Sequence, residues 1–205
     1  MSSSRPGRPV DGVKRALILQ TASRHFLQDG FAATSIEQIA AEAGVSKVTI
    51  YNHFGDKEAL FSESVATECE RISGSFRIDA EPDLDLRQRL IAVGEALSAF
   101  LSRPEMVQFE RRIAAETERE PAVGAAFLAA GPHRMKNSLV ALLVSMDEAG
   151  EVTIADPDLA AEQFAAMCKG MGDLDRRFGL PRDEVRDGER IRGAVEVFCR
   201  AYASR

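Results

Sequence analysis

The segment at residues 34–58 constrains the fold most, because two short helical patterns meet there at a single glycine. The first pattern begins with a capping-box spacing, in which Thr34 is the N-cap and Glu37 follows three residues later. It stops at Gly44, which allows the positive φ of a sharp turn. Ser46 then occupies the N-cap position of a second helix. This arrangement predicts a helix-turn-helix.

The second of these helices is amphipathic, and its polar side is rich in hydrogen-bonding groups. Its apolar side carries Val45, Ile50 and Phe54. The rest of its surface offers charges, hydroxyls and an amide from Lys47, Thr49, Tyr51, Asn52 and His53. A helix of this kind fits the major groove of DNA, where side chains reach the edges of the bases. We therefore interpret it as a DNA-reading helix.

The rest of the chain also has a helical pattern, since apolar residues recur at three- and four-residue spacing and strand-forming runs are scarce. Apolar residues make up 45% of the sequence, which is enough for a packed core. We expect further helices at about residues 11–28, 56–76, 86–101, 104–119, 121–149, 157–178 and 182–202. The helix at 121–149 should bend or split at Gly131-Pro132, because proline lacks a backbone donor.

The charge is unevenly distributed along the chain, whose formal net charge is −6. Residues 1–60 carry seven Lys/Arg against six Asp/Glu, whereas residues 61–205 carry nineteen against twenty-six. The predicted DNA-binding end is therefore the basic end. A globally acidic protein still binds phosphate through a local basic surface.

The sequence indicates a cytoplasmic protein without a membrane partner. It has no run of about 20 apolar residues, and no apolar run follows its N-terminus as in a signal peptide. The cysteines Cys69, Cys168 and Cys199 lie far apart, without a Cys-x-x-Cys pair or a nearby Cys/His cluster. We expect buried reduced thiols, with no disulfide, metal or cofactor.

Residues 11–60 carry the pattern of a known family. The characteristic positions are Phe31-x-x-Thr34, Ile39-Ala40-x-x-Ala43-Gly44-Val45-Ser46 and Thr49-Ile50-Tyr51-x-His53-Phe54-x-x-Lys57-Glu58-x-Leu60. This pattern resembles the tetracycline-repressor (TetR/AcrR) family of bacterial transcription regulators. The resemblance implies an all-α protein, with an N-terminal three-helix helix-turn-helix bundle joined to a C-terminal helical ligand-binding and dimerisation domain. We place the boundary inside the fourth helix, which divides the chain into a basic arm at 1–10, a DNA-binding domain at 11–60 and a body at 61–205.

The expected DNA contacts combine side-chain chemistry with the family pattern. Lys47 and Asn52 are predicted to read bases, since lysine donates to guanine and asparagine pairs with adenine. Thr49 can touch a thymine methyl or a phosphate, and Val48 offers only an apolar contact. The resemblance implies that Tyr51, His53 and Lys57 mostly bind phosphate. The backbone amides at the starts of the second and fourth helices would add to this attraction. The full predicted set in this domain is Thr34, Ser46, Lys47, Val48, Thr49, Tyr51, Asn52, His53 and Lys57.

The N-terminal arm, Arg5-Pro6-Gly7-Arg8-Pro9, resembles the core of a minor-groove AT-hook. Proline and glycine keep such a segment extended, so that Arg5 and Arg8 could enter a narrow A·T groove. The alternative is a plain solvated tail. Beside a helix-turn-helix we favour the DNA-binding interpretation.

The body contains a set of aromatic rings and thioethers that suits an inducer cavity, which the family resemblance implies. The candidate lining residues are Phe100, Met106, Phe109, Ile113, Phe127, Met135, Met167 and Met171. An ordinary helical core is the alternative, because methionine is a common gap filler. Likewise, Glu110, Arg111, Arg112 and Glu116 are either polar groups of such a cavity or solvated surface charges. The ligand is not identified by the sequence.

The last two helices carry more apolar surface than a terminal hairpin needs for one face. We expect a homodimer formed through a four-helix interface, with Phe164, Met167, Leu174, Val195, Phe198 and Tyr202 as candidate contacts. A two-fold dimer places its two recognition helices about one DNA turn (~34–36 Å) or somewhat more apart. The operator should therefore be a palindrome of double-stranded DNA.

The residue pattern disfavours two rival interpretations of the chain. An enzyme is disfavoured, since the sequence has no glycine-rich phosphate loop, nucleophile elbow, metal-spaced His/Cys set or Glu-x-x-His pair. A helical drug- or lipid-binding module that has lost DNA binding is disfavoured by the intact Lys47, Tyr51, His53 and Lys57. The preferred hypothesis is a repressor that a small apolar or amphipathic inducer releases from its operator.

Overall fold

A computed structural model describes residues 9–73 and 84–204, with side chains described over 12–70 and 84–204. Within these ranges the chain forms ten α-helices. They are α1 Pro9–Ala33, α2 Ile36–Glu42, α3 Lys47–Phe54, α4 Lys57–Ser73, α5 Leu86–Leu101, α6 Pro104–Thr117, α7 Pro121–Ala130, α8 Pro132–Glu148, α9 Pro157–Arg177 and α10 Glu184–Tyr202. The predicted all-α fold is confirmed. The arm residues Arg5 and Arg8, and the predicted end of the fourth helix at residue 76, lie outside the described residues.

The turn between α2 and α3 has the predicted geometry. Gly44 adopts a φ of 64°, a conformation that residues with a Cβ rarely adopt. Ser46 is the N-cap of α3, and its hydroxyl oxygen accepts a hydrogen bond from the Thr49 amide at 3.1 Å. These two residues therefore set the angle and the start of α3.

The predicted cap of α2 is wrong by one residue. Ser35 is the N-cap, and its side chain accepts from the Gln38 amide at 3.2 Å. Gln38 closes the capping box by accepting from the Ser35 amide at 2.8 Å. Thr34 is instead 1% exposed and donates its hydroxyl to the Gly30 carbonyl at 2.7 Å. The adjacent pairs Thr34/Glu37 and Ser35/Gln38 satisfy the same sequence pattern, and tertiary burial of Thr34 decides between them.

Helix α1 extends beyond its predicted end at residue 28, but it is interrupted. Gly30 has a φ of 86° and a ψ of −178°, so the helix is broken at this residue. Phe31 follows immediately and packs in the core beside Phe26 and Phe61. The predicted end at residue 28 therefore lies two residues before the break, and the helical assignment continues after it to Ala33.

The body comprises α5–α10 and the later turns of α4. The predicted split at Gly131-Pro132 is confirmed, since α7 ends at Ala130 and α8 begins at Pro132. Helices α9 and α10 form a terminal hairpin that packs on α5, with α8 against α9. Helix α9 has an unpredicted interruption at Gly170, whose φ is 48°.

Helices α1–α3 and the start of α4, which we call the head, share one continuous hydrophobic core with the body. The ring of Phe61 in α4 lies 5.2 Å from the rings of both Phe26 and Phe31 in α1. On its other side it lies 6.2 Å from Phe109 in α6, whose ring in turn lies 5.6 Å from that of Phe127. This row of rings connects the DNA-binding end to the body. Among the described helices, none is long and apolar enough to cross a membrane.

Candidate functional site

Helix α3 presents a row of polar and apolar side chains to solvent. Val48 is 65% exposed and Tyr51 47% exposed, while Lys47 and Asn52 are also exposed. Ile50 is completely buried on the opposite side, and Phe54 is nearly so. The structure therefore places the predicted base-reading residues Lys47 and Asn52 on one accessible face.

The Lys47 side chain has a carboxylate partner on α2. Its Nζ atom lies 2.7 Å from Oε1 of Glu37, which is in the first turn of α2. This hydrogen bond lowers the pKa of Glu37 and raises the pKa of Lys47. Both side chains are more than half exposed, so the pair adds little stability and is easily exchanged for a DNA contact.

The predicted hydroxyl contacts differ in their accessibility. The hydroxyls of Ser46 and Thr49 lie 2.9 Å apart at the start of α3, where Ser46 is exposed and Thr49 half-buried. Thr34 is corrected as a DNA-contact candidate, because its buried hydroxyl is bonded to Gly30 and its side chain does not reach the surface. The accessible hydroxyls belong to α3 and to Tyr51.

Lys57 and His53 are less exposed than Lys47 and Asn52. The Nζ atom of Lys57 lies 4.3 Å from the centre of the Phe31 ring, a cation–π contact. Burial lowers the pKa of Lys57. His53 is half-buried, with its ring 6.1 Å from that of Phe54. His53 is in the last turn of α3 and Lys57 is the first residue of α4, so both lie near the C-terminal end of α3.

A large cavity lies where the body packs against α1. Its volume is about 1950 Å³, and α1 and α4–α9 all contribute to its lining. Six of the eight predicted lining residues face it: Phe100, Met106, Phe109, Ile113, Phe127 and Met135. The cavity is larger than the ~300–1,000 Å³ of common small-molecule sites. Its lining is mostly apolar, which suits a ligand that buries hydrocarbon or aromatic surface.

Met167 and Met171 do not line the cavity, so this part of the prediction is wrong. The cavity face of α9 follows helical spacing through Glu162, Ala165, Ala166 and Lys169. Met167 is half-buried against the core, and Met171 is 65% exposed. Thioether chemistry alone favours these two residues as lining. Their positions around the axis of α9, however, turn them away from the cavity.

The cavity also contains charged groups that the sequence left ambiguous or missed. Glu110 lines it, and burial raises the pKa of this carboxyl although Arg177 lies 3.2 Å away. Lys169, Arg177 and His133 line it as well. Glu110 lies on the same side of α6 as Phe109 and Ile113, so helical spacing could have predicted its position in the lining.

Three other charged candidates on α6 face elsewhere. Arg111 donates to the Arg176 carbonyl of α9 at 3.3 Å. Arg112 and Glu116 bind backbone groups of α1 at 3.1 Å each. None of the three lines the cavity. They connect α6 to neighbouring helices. The sequence suggested only polar cavity groups or solvated surface charges for these residues.

The predicted dimer contacts separate into buried and accessible groups. Phe164, Val195 and Phe198 are at most 2% exposed and belong to the protomer's own core, so their assignment to the interface is wrong. Leu174 is 46% exposed, whereas Met167 and Tyr202 are half-buried. Sequence periodicity identifies apolar residues, but it does not show that packing within the protomer already buries these three.

An exposed apolar surface nevertheless remains on the α9–α10 hairpin. Phe178 is 81% exposed, Val185 74% and Val197 55%. The other exposed apolar residues of this region are Leu159, Met171, Leu174 and Leu180. Exposed apolar patches of this kind mark protein–protein contacts.

Among the described side chains, no three His, Cys, Asp or Glu residues form a group that could hold a metal ion. All three cysteines are buried free thiols. Burial raises the pKa of Cys69 to about 11 and that of Cys168 to about 12. Such thiols are protonated and unreactive at neutral pH.

Comparison with known proteins gives matches over both parts of the chain. Residues 18–63 match the family described as bacterial regulatory proteins, tetR family. Residues 88–204 match the AefR-like transcriptional repressor, C-terminal domain. The second match alone spans more than half of the chain.

Similar proteins are regulators of the same kind. The structure of a TetR-family transcriptional regulator from Mesorhizobium loti MAFF303099 has a TM-score of 0.78 and 28% identity, covering 94% of this chain and 98% of that one. The Flavonoid-responsive Regulator FrrA has a TM-score of 0.73 and 30% identity, covering 95% and 99%. The HTH-type transcriptional regulator YhgD of Bacillus subtilis is 29% identical over 152 residues, which are 72% of this chain and 76% of that protein.

Proposed function

The chain belongs to the TetR family of DNA-binding transcriptional regulators, and on that premise we propose that it is a homodimeric repressor of a palindromic operator. A small apolar or amphipathic molecule in the body cavity would release it from DNA. The observation that carries the DNA-binding part is the exposed row on α3, with Lys47, Val48, Tyr51 and Asn52 accessible on one short, rigid helix.

The roles on this surface follow from reach and chemistry. Lys47 and Asn52 have the donors and acceptors for direct base readout, and Val48 offers an apolar contact to a thymine methyl. Tyr51, His53 and Lys57 would contact the phosphates that flank the groove, and these contacts would position the protein without selecting a sequence. The arm residues Arg5 and Arg8 stay candidates for minor-groove contact.

The exposed apolar surface of α9 and α10 supports a homodimer. Phe178, Val185 and Val197 project from one helical hairpin, and burying them against the same hairpin of a second copy would form a four-helix interface. Such an interface is self-complementary by symmetry. Two α3 helices related by a two-fold axis would then require a palindrome.

Selection from a random library of DNA duplexes would test this proposal. We expect the wild-type protein to enrich a palindrome, with half-sites separated by one helical turn or somewhat more. Binding should saturate at two protomers per palindrome, or at a small multiple of two. Enrichment of no sequence, or of an asymmetric single site, would contradict the proposal.

The cavity supports the ligand-responsive part of the proposal. Phe100, Phe109 and Phe127 offer ring surfaces to a ligand, and Glu110 and Lys169 offer charged or hydrogen-bonding groups. A compound with an apolar or aromatic body and one polar group would match this lining. The name of FrrA describes it as flavonoid-responsive, so flavonoids belong among the first compounds to test.

A plug in the cavity should abolish the response. Ala125 of α7 lines the cavity, and a phenylalanine at this position would occupy the space of a ligand. In a thermal-shift screen of flavonoids and amphipathic acids, we expect hits that also weaken operator binding by the wild-type protein. Ala125→Phe should require at least about tenfold more of the same compound.

Ala129→Phe is the matched control on the same helix, because Ala129 is exposed like Ala125 but does not line the cavity. Its response should equal that of the wild type. Equal responses from both variants would place the ligand outside the cavity.

A further inference from the structure

The interruption of α1 at Gly30 lies inside three of the backbone pairs that an α-helix would bond, and two of them involve residues that contact α6. In an uninterrupted helix, the Leu27 carbonyl would accept from the Phe31 amide, and the Ala32 amide would donate to the Gln28 carbonyl. Gly30 lies between both pairs, and its ψ of −178° takes the chain off the helical path. The backbone on each side of Gly30 therefore needs partners from elsewhere.

Two side chains of α6 bind these same backbone groups. Arg112 donates to the Leu27 carbonyl at 3.1 Å, and Glu116 accepts from the Ala32 amide at 3.1 Å. A Cβ atom on Gly30 would lie only 2.4 Å from Oε1 of Glu116. The positive φ favours glycine at this position, and a Cβ atom there would displace the Glu116 carboxylate. We call Arg112 and Glu116 the α6 clamp.

The clamped segment leads directly into the DNA-binding surface. The Gly30 carbonyl accepts from the hydroxyl of Thr34, which immediately precedes the cap of α2. Phe31 directly follows Gly30, and the centre of its ring lies 4.3 Å from Nζ of Lys57. The clamp therefore holds the backbone from which α2 starts and the ring on which Lys57 rests.

The clamp residues belong to a helix that also lines the cavity. Phe109 and Ile113 of α6 face the cavity, whereas Arg112 and Glu116 face α1. Both clamp residues are half-buried; the Arg112 bond to Leu27 is partly buried, whereas the Glu116 bond to Ala32 is exposed. One rigid helix therefore contacts both the cavity and the DNA-binding head.

We propose that Arg112 and Glu116 are positioning residues for DNA recognition, which hold the interrupted end of α1 and so fix the orientation of α2 and α3 relative to the body. This inference rests on the proposed DNA-binding function. In a dimer, a rotation of each head changes the separation of the two α3 helices. Binding to a palindrome depends on that separation, whereas non-specific binding to phosphates depends on it far less.

The test uses the full chain with Arg112→Ala and Glu116→Ala, and with Arg111→Ala as the matched control. Arg111 is the neighbouring arginine of α6, but it binds the α9 backbone instead of α1. Affinity is measured for the palindrome selected by the wild type and for a scrambled duplex of the same composition. Hydrogen exchange of the amides at residues 27–33 is measured without DNA.

We expect both clamp variants to bind the palindrome about tenfold or more weakly, the scale of one lost hydrogen bond to a charged group, with little change on the scrambled duplex. Exchange at residues 27–33 should become faster, and Arg111→Ala should change neither quantity. Arg112→Lys retains a donor and Glu116→Gln retains an acceptor, so these conservative variants should restore most of the palindrome affinity.

Unchanged exchange at residues 27–33 in both alanine variants would overturn the clamp. An equal loss on palindrome and scrambled duplex, without rescue by the conservative variants, would also overturn it, since that pattern indicates general destabilisation. The exchange measurement needs no DNA. A wild-type protein that selects no palindrome would therefore refute the proposed function while the clamp is still measured independently.

Discussion

Phe61→Ala is expected to lower the free energy of unfolding by about 3–5 kcal/mol, the range for truncating a fully buried phenylalanine. Phe61 is 1% exposed, and its ring contacts those of Phe26, Phe31 and Phe109. Its loss would leave a cavity where the head meets the body. Chemical denaturation of both proteins at equal protomer concentration measures the difference.

Two controls define the origin of this effect. Phe61→Leu keeps most of the apolar volume and should lose clearly less stability than the alanine variant. Val48→Ala removes an exposed side chain and should change stability by no more than about 0.5 kcal/mol. A loss below about 1 kcal/mol for Phe61→Ala would show that the row of rings does not hold head and body together.

Asp187→Ala is expected to cost a similar amount, about 3–5 kcal/mol, because it removes one partner from a buried charge cluster. The carboxylate of Asp187 is bound by Arg190 at 2.6 Å, by Arg182 at 3.1 Å and by Arg176 at 3.3 Å. Arg176 is itself only 7% exposed. Without Asp187 this buried guanidinium would lose its closer carboxylate and keep only its longer ion pair with Asp173, at 3.9 Å, beside the cations Arg182 and Arg190.

The dependence of stability on pH gives a second measurement for the same residue. Burial alone would raise the pKa of Asp187, but the surrounding arginines outweigh it and hold the pKa below its usual value of 3.8. The stability from this carboxylate is therefore fully present above the usual pKa and is lost as the pH falls through the lower, folded-state pKa. Asp187→Ala should lack this contribution at neutral pH and lose less stability on acidification.

Glu189→Ala is the control for the Asp187 substitution. Glu189 lies on the same helix but is exposed and pairs with Arg186 at the surface, so its removal should cost no more than about 1 kcal/mol. If the Asp187 and Glu189 variants lose equal stability, the buried cluster does not stabilise the hairpin. A fall in dimer affinity in the Asp187 variant alone would connect this cluster to the proposed interface.

Local signals were sufficient to predict the helix-turn-helix. Gly44 and Ser46 act within a few residues of themselves, through a positive φ and a cap, so their structural effect is legible in the sequence. The cap of α2 shows where such reasoning ends. Thr34 and Ser35 have equivalent local patterns, and only the burial of Thr34 against Gly30 distinguishes them.

The cavity and the apolar hairpin required tertiary information. Hydrophobic periodicity shows that Phe164 and Phe198 are turned inward, but not whether their own protomer or a second copy buries them. They pack on each other, with ring centres 5.4 Å apart, inside the protomer. The accessible apolar residues, such as Phe178 and Val185, lie near the bend of the hairpin, where helical spacing gives no inward face.

The two backbone interruptions were the hardest features to predict. A glycine within a helical pattern signals a weak position, but it does not show which side chain will approach it. At Gly30 the approaching group is Glu116, and at Gly170 it is Arg190, both distant in sequence. The α6 clamp is therefore visible only once α1 and α6 are packed together.

The most direct test of the proposed function compares the wild type with the Lys47→Ala/Asn52→Ala variant on the selected palindrome. Each lost base contact should cost about 1–3 kcal/mol, so the double variant should bind at least about 30-fold more weakly while its scrambled-duplex affinity changes far less. Fluorescence anisotropy with both duplexes at one salt concentration measures this ratio. Equal palindrome affinity in the two proteins would contradict the assignment of α3 as the helix that reads DNA.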